Sequence, residues 1–539
     1  MAPRQSTGLA LWGGPECTVN RIGNDFFDQI RATGHEDRID DLDRFAAAGF
    51  SALRYPLLWE RIAPERPDQR DFAWSDARMS RLRDLGMPVI AGLVHHGSGP
   101  RYTDLLDPGF ASGLADHARA VAARYPWIED WTPVNEPLTT ARFAALYGLW
   151  YPHQRDERLF WLALINQIDA VRLSMRAIRR INPAARLIQT DDLGRTWATA
   201  ELKDQAGFDN VRRWMGWDLL TGRVRPGHDL WRRLRDFGLE ERLRVIADDP
   251  CPPDIIGINH YLTSDRFLDH RVRRYPDRAQ GGNGRQRFAD TEAVRVLQPP
   301  PPGLGGVLRE AWQRYGLPLA VTEVHNGCTR DEQMRWIVHA WRTAQSLRDD
   351  GVDVRAVTSW ALLGSQGWDR LLTGGGRYEP GAWDVSGALP RETAMLKLLQ
   401  GLQGGEAGHP AVAGEGWWRR SIRLHHPVSP RPAPMREHLP ARDPARARAA
   451  PPILIAGEAS AGQGIAAACR HRDLAHVLVE RIDVASLDRL RPWAVIMADV
   501  AEDTVSAACA ERDIKFGRLA DANLPERCDA LLDALIDDV

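Results

Sequence analysis

Eight short apolar, β-rich runs punctuate the first 365 residues, and their number and spacing constrain the fold more than any other feature of the chain. They are TGLALWGG (7–14), SALRYPLLW (51–59), MPVIAGLVHH (87–96), DWTPVNEP (130–137), ARLIQTDD (185–192), DIIGINHYLTS (254–264), LPLAVTEVHNG (317–327) and VRAVTSWALLG (354–364). Between them lie stretches with apolar residues at three- and four-residue spacing, such as FASGLADHARAVAARY and DEQMRWIVHAWRTAQSLRDDG, several stopped by Gly or Asn-Pro. Continuous apolar strands alternating with helices imply a parallel sheet covered on its outer face, and eight units close a barrel. A doubly wound open sheet is the alternative; eight ordered units within about 400 residues favour the (β/α)8 barrel, expected over 1–403 and ending with the helix RETAMLKLLQGL. Chemistry in such barrels sits at the C-terminal strand ends, so polar residues there are the site candidates.

Beyond 403 the texture changes. HHPVSPRPAPMREHLPARDPARARAAP is rich in Pro, Arg and Ala without apolar periodicity, which predicts an exposed linker over 404–450. Residues 451–539 open as strand, Gly-containing turn, helix, strand, helix, strand, the beginning of a Rossmann-like α/β module too short to be complete. The net charge of −2 gives no general attraction to nucleic acid or to an anionic membrane. No apolar run is long enough to span a bilayer and no secretion signal is evident at the N-terminus. The six cysteines are scattered, with no CxxC and no His at ligand spacing. That speaks against a metal site or a disulfide framework and for a reducing, cytoplasmic setting. No cofactor or cofactor-binding residue is expected, and oligomeric state is not readable.

Two glutamates stand at strand ends: Glu136 closing the fourth run and Glu323 closing the seventh. A closed barrel brings both to one mouth. A retaining glycosidase needs such a pair, one acid to protonate the leaving oxygen and one carboxylate to attack the anomeric carbon, about 5–5.5 Å apart. Repulsion between them would hold the acid protonated. The competing reading is a buried structural ion pair with a nearby Arg.

The surrounding residues favour the first reading. WTPVNEP (131–137) resembles the acid/base signature of glycoside hydrolase family 1, the β-glucosidase-like barrels. VTEVHNG resembles that family's nucleophile motif, interrupted here by Val324 and His325. LRYPLLWERIAPE, WDLLTGR (217–223), IIGINHYLTS and SWALLGSQGW resemble its other signatures, in order, over residues 7–400. The resemblance implies Glu136 as acid/base, Glu323 as nucleophile, Arg54 as the group holding and tuning the nucleophile, and Asn135 on the sugar 2-hydroxyl. It further implies His95 on another hydroxyl, Tyr261 bonded to the nucleophile, Trp360 as a stacking floor, and Trp368 and Asn20 among the substrate-binding residues. Asn259 is expected to support Tyr261 and its strand end. The implied substrate is a carbohydrate, a β-glycoside.

Two positions depart from the pattern. Asn20 stands where the family carries Gln, and Gly367 stands before Trp368 where the family carries a Glu that grips the outer hydroxyls. Losing that acceptor alters the sugar-reading part of the site while leaving the bond-cleaving part intact. The tail, PILIAGEASAGQG with RPWAVIMADV, resembles the start of the dTDP-4-dehydrorhamnose reductase family, short-chain dehydrogenases acting on nucleotide-linked sugars. Gly457 keeps the first glycine of its turn, but Ser460 and Gln463 replace the others, and no Tyr follows Tyr378 to serve in a Tyr-x-x-x-Lys pair. Three readings therefore stand: a retaining glycosidase with an atypical sugar subsite; a non-catalytic carbohydrate-binding or assembly protein; and, nearly excluded, a nucleotide-sugar reductase.

Overall fold

The computed structural model describes residues 8–405, 408–426, 451–457, 459–471, 474–498, 503–519 and 525–537. All eight runs become strands: β1 (Ala10–Gly14), β2 (Ala52–Pro56), β3 (Val89–His95), β4 (Asp130–Asn135), β5 (Arg186–Asp192), β6 (Ile255–Asn259), β7 (Leu319–Val324) and β8 (Val354–Trp360). They form one closed barrel in which each strand pairs with its sequence neighbours and β1 pairs with β8, every pairing parallel. The open-sheet alternative is thereby set aside.

Each strand is shorter than its apolar run, because the ends of the runs turn into the loops that carry the mouth. Trp59–Ile62 is already a short helix, and Glu136 leaves β4 with φ 46°, immediately before the short helix Pro137–Ala141. A left-handed backbone is costly for a side chain with a Cβ, so the surrounding structure must impose it. Inside the barrel, Trp12, Ile90, Ile188 and Ile255 interleave with Ala52, Ala320 and Ala356. Large and small residues together fill the interior. Outside, the main core lies between strands and helices; Trp131, Trp161 and Trp217 are fully buried there.

Gly257 in β6 shows how closely this interior is fitted. A Cβ there would lie 2.7 Å from Thr190 Cγ2 and 2.9 Å from Thr322 Cγ2. After β5 and β6 the chain builds a four-stranded sheet, ordered Gln280–Gly282, Arg287–Glu292, Arg266–Asp269, Thr196–Ala198, which the apolar pattern does not announce. The signature WDLLTGR is a structural anchor. Trp217 Nε1 donates to the Gln189 carbonyl (3.1 Å), and Asp218 accepts from Arg314 and from Tyr315 Oη (2.8 Å).

The boundary expected at 403 lies further on. Among the described residues, those up to Val294 and those from Pro300 to Arg420 form one compact unit; Arg295–Pro299 and those from Ser421 onward belong to a second. The stretch expected to open an exposed linker is instead pinned to the barrel unit: Trp418 is buried edge-on against Trp336 (5.1 Å between centroids), and Trp417 N donates to Glu332 (2.9 Å). Aromatic burial outweighs local composition there. Residues 427–450 lie outside the described residues.

The second unit carries a parallel four-stranded sheet, β9 (Ile453–Gly457), β10 (His476–Val479), β11 (Ala494–Ala498) and β12 (Lys515–Leu519), in the order β10-β9-β11-β12. One face packs Ile453, Ile455 and Ile496 with Ile465 and Leu532; the other packs Leu454, Val495 and Met497 with Leu487 and Val505. Gly457 (φ 152°) is required sterically, since a Cβ would meet the Ala498 carbonyl oxygen at 2.2 Å. Gln463 is exposed, and the Ser460 side chain lies outside the described residues. Among the described residues no helix is long and apolar enough to cross a membrane, and no His, Cys, Asp and Glu cluster has the arrangement to hold a metal ion.

Gly257→Ala should overpack the barrel at the level of Thr190 and Thr322, lowering stability by about 1–3 kcal/mol. Chemical denaturation checks this, with unchanged stability as the contrary result.

Candidate active site

Strand ends β2, β4, β6 and β7 converge on one buried hydrogen-bond network. Arg54, from β2, is its hub. Its Nη1 donates to Glu323 Oε1 (2.9 Å) and to the Thr322 carbonyl (2.8 Å), and its Nη2 donates to Asn135 Oδ1 (2.7 Å). Such a planar fork can hold a carboxylate and an amide at fixed angles, which a lysine cannot. The other Glu323 oxygen accepts a short hydrogen bond from Tyr261 Oη.

Glu323 faces the mouth because β7 bulges there: between Val321↔Ile258 and Glu323↔Asn259, two residues of β7 oppose one of β6. A bulge re-aims a side chain in this way. The motif interruption at Val324 and His325 ends elsewhere. Val324 is buried, and His325 Nε2 lies 2.6 Å from Glu379.

Glu136 reaches the same space from β4. Asn259 Nδ2 donates to Glu136 Oε1 (2.5 Å), while Asn259 Oδ1 accepts from Thr322 Oγ1 (2.7 Å). Asn259 thus braces the acid candidate and the end of β7: its amide nitrogen goes to Glu136 and its amide oxygen to Thr322, where support of Tyr261 was expected. Asp191, at the end of β5, accepts from Leu138 N (3.1 Å) and so caps the short helix that follows Glu136. No motif announced Asp191. Its signal was only its place at the end of an apolar run.

Asn135 is saturated by protein. Its Oδ1 also accepts from Thr190 Oγ1 (2.7 Å), and its Nδ2 donates to Nε2 of His95 (3.2 Å) and of His96 (3.3 Å). His96, a second residue the motifs did not single out, has φ 56°, bonds Thr140 Oγ1 through Nδ1 (3.1 Å) and lies 3.8 Å from Glu136. Burial pulls His95 well below the usual imidazole range, helped by His96 and Arg54, and pulls His96 down to about 3, helped by Arg54. Both rings are neutral and can accept from Asn135.

The tryptophans line one side. Trp360 stacks on His95 (5.3 Å, 7°) with the Arg54 guanidinium 4.7 Å from its ring, so protein groups already pack on the ring expected as a floor. Trp368 meets His96 (5.5 Å) and Trp150 (6.2 Å) edge-on. Both indole N–H groups donate to one oxygen of Glu16. Asn20 is turned to the chain, donating to the Leu372 carbonyl (3.1 Å) and accepting from Arg21 N (2.8 Å). The structure therefore brings Arg54, His95, Asn135, Glu136, Tyr261, Glu323, Trp360 and Trp368 into one connected network and gives the Asn20 side chain backbone partners.

The two glutamates are held in different electrostatic surroundings. Glu136 is 4% exposed, and burial pushes its carboxyl well up, followed by the charges of Glu323, Asp192 and Asp191. Burial also raises Glu323, but Arg54 and the Tyr261 hydroxyl pull it back. A coupled carboxyl pair with one member backed by a guanidinium splits into an acid that keeps its proton and a base that has lost it.

No family model matches the chain. The 6-phospho-beta-glucosidase of Dickeya chrysanthemi is 24% identical over 365 residues, covering 60% of this chain and 74% of that one. Beta-glucosidase 4 of Oryza sativa is 24% identical over 383 residues (61% and 76%), and beta-glucosidase A of Thermotoga maritima 20% over 393 residues (67% and 84%). Among solved structures, the family 1 β-glucosidase of Thermotoga maritima superposes with TM-score 0.59 at 15% identity, covering 74% of this chain and 98% of that one. The same enzyme in complex with deoxynojirimycin gives 0.58.

Arg54→Met should leave the buried Glu323 carboxylate unpaired, costing about 3–5 kcal/mol. Thermal or chemical denaturation reads this, and a loss below about 1 kcal/mol would show that the guanidinium is not the hub. Barrel and likeness agree: this unit has the (β/α)8 fold of the family 1 β-glucosidases.

Proposed function

We propose that the chain is a retaining β-glycosidase in which Glu323 is the nucleophile and Glu136 the general acid/base. The observation that carries the reading is the asymmetry of the pair: Glu323 is bonded by Arg54 and Tyr261, while Glu136 is buried with three further carboxylates acting on it. Similarity to β-glucosidases and to a 6-phospho-β-glucosidase supports the class of reaction.

In the first step a Glu323 carboxylate oxygen bonds to the anomeric carbon as the bond to the leaving oxygen breaks, and the Glu136 proton passes to that oxygen. In the second, Glu136, now a carboxylate, takes a proton from water, whose oxygen displaces Glu323 from the anomeric carbon. Two inversions return the β configuration. Arg54 holds the attacking oxygen in place and balances its charge; neutral His95 and His96 leave that balance unchanged. The absence of a carboxylate at Gly367 motivated the alternative, a non-catalytic sugar binder. The asymmetric pair favours turnover.

The pH dependence of kcat/KM should be a bell. Activity is lost as pH falls through the raised value of Glu323, which must be ionised, and as pH rises through the higher value of Glu136, which must be protonated. Glu136→Gln should remove the alkaline limb and lower turnover of glycosides with poor leaving groups about 10²–10⁴-fold, with a smaller loss for nitrophenyl glycosides. Proton NMR of the first-formed sugar checks the stereochemistry. An α product, or turnover that survives Glu323→Gly, overturns the reading.

A further inference from the structure

We propose that Glu16 is the specificity-determining residue of this mouth and commits it to an uncharged sugar. The inference rests on the glycosidase reading and deepens it.

Glu16 lies just after β1 and is 2% exposed. Its Oε1 accepts from Thr18 N (2.9 Å) and Thr18 Oγ1 (2.6 Å); its Oε2 accepts from Trp360 Nε1 (3.2 Å) and Trp368 Nε1 (3.1 Å). Indole and backbone N–H groups only donate, so the set fits the acceptor-only carboxylate. Among the described residues no ion pair includes Glu16.

It therefore does two things at once. It fixes the edges of two tryptophans, one ending β8 beside Arg54 and His95, the other against His96. It also places a carboxylate charge that is hydrogen-bonded but without an ion-pair partner next to them, near enough for burial-raised Glu323 and Tyr261 to be pushed further up by it. The eighth-strand segment has no side chain to offer here: Gly367 has φ 80°, and a Cβ would lie 2.9 Å from the Gly375 carbonyl oxygen. The acidic group beside Trp368 comes instead from the neighbouring strand end, off β1.

Of the neighbouring cations, Arg54 is spent on Glu323, Thr322 and Asn135, and Arg142 lies towards Thr139 and Asp192; Arg21 donates from Nε to the Gly23 carbonyl and stacks on the Tyr151 ring, which leaves its buried Nη1 without a hydrogen-bond partner. Lys203 and Lys397 are exposed on helices. A phosphorylated sugar would bring a dianion to a mouth already holding Glu16 and Glu323, a repulsion worth about 100-fold or more in a desolvated site.

The test compares 4-nitrophenyl β-glucoside with its 6-phosphate, and, independently of turnover, calorimetric titration with glucose and glucose 6-phosphate. The wild-type chain is expected to favour the neutral member of each pair by about 100-fold. Glu16→Gln should narrow that ratio by about tenfold and shift the acid limb of the pH profile downwards, because the charge raising Glu323 is gone. Trp368→Phe, which removes one donor and keeps the charge, should weaken both sugars alike and leave the ratio unchanged. Preference for the phosphorylated sugar, a ratio insensitive to Glu16→Gln, or no binding of either sugar by a chain that melts cooperatively overturns the inference. Binding discrimination without hydrolysis of either glycoside would instead overturn the proposed function and leave this inference supported.

Discussion

The Arg54 guanidinium is the interaction on which the mouth depends. One planar group joins three strands: it starts on β2, bonds the Glu323 carboxylate and Thr322 carbonyl on β7, and bonds the Asn135 amide on β4. A buried carboxylate in this position would be unstable without it, and Asn135 would lose one of the two donors that orient its oxygen. The rest of the network propagates from these contacts. Asn135 orients the two neutral histidines, Thr322 orients Asn259, and Asn259 orients Glu136.

This arrangement explains why a barrel suits the chemistry. Acid and base need different environments a few ångströms apart, and a single helix or hairpin offers both groups nearly the same one. Here the parallel strands deliver each side chain from its own direction. A bulge turns Glu323 towards Arg54, and a left-handed residue turns Glu136 towards Asn259. Both devices depart from regular strand geometry, and both sit at the mouth, where the surrounding packing can hold them.

Much of the fold was legible from composition and period alone. Eight apolar runs separated by helical patterns became eight barrel strands, because strands buried on both faces must be apolar throughout and cannot be mistaken for surface loops. The helix-packed residues up to Arg420 were less legible. The linker expected from 404 cannot begin there, because Trp418 is buried against Trp336; most of the Pro- and Arg-rich stretch that suggested it lies outside the described residues. The sheet formed by 196–198, 266–269, 280–282 and 287–292 was also silent, since strands of three to six residues carry too few alternations to register.

For the site, the sequence by itself determined which residue types the second, third, fourth and seventh apolar runs carry: Arg54, His95, Asn135 with Glu136, and Glu323. It also determined what was missing, an acidic residue before Trp368. Only the tertiary structure decided the partnerships. That Asn259 serves Glu136, that Asp191 caps the helix after it, and that Glu16 holds both Trp360 and Trp368 follow from distances between segments up to 352 residues apart. Hydrogen bonds between such segments leave no periodicity in the chain. Their donors and acceptors meet only because barrel closure removes the freedom that would otherwise keep them apart.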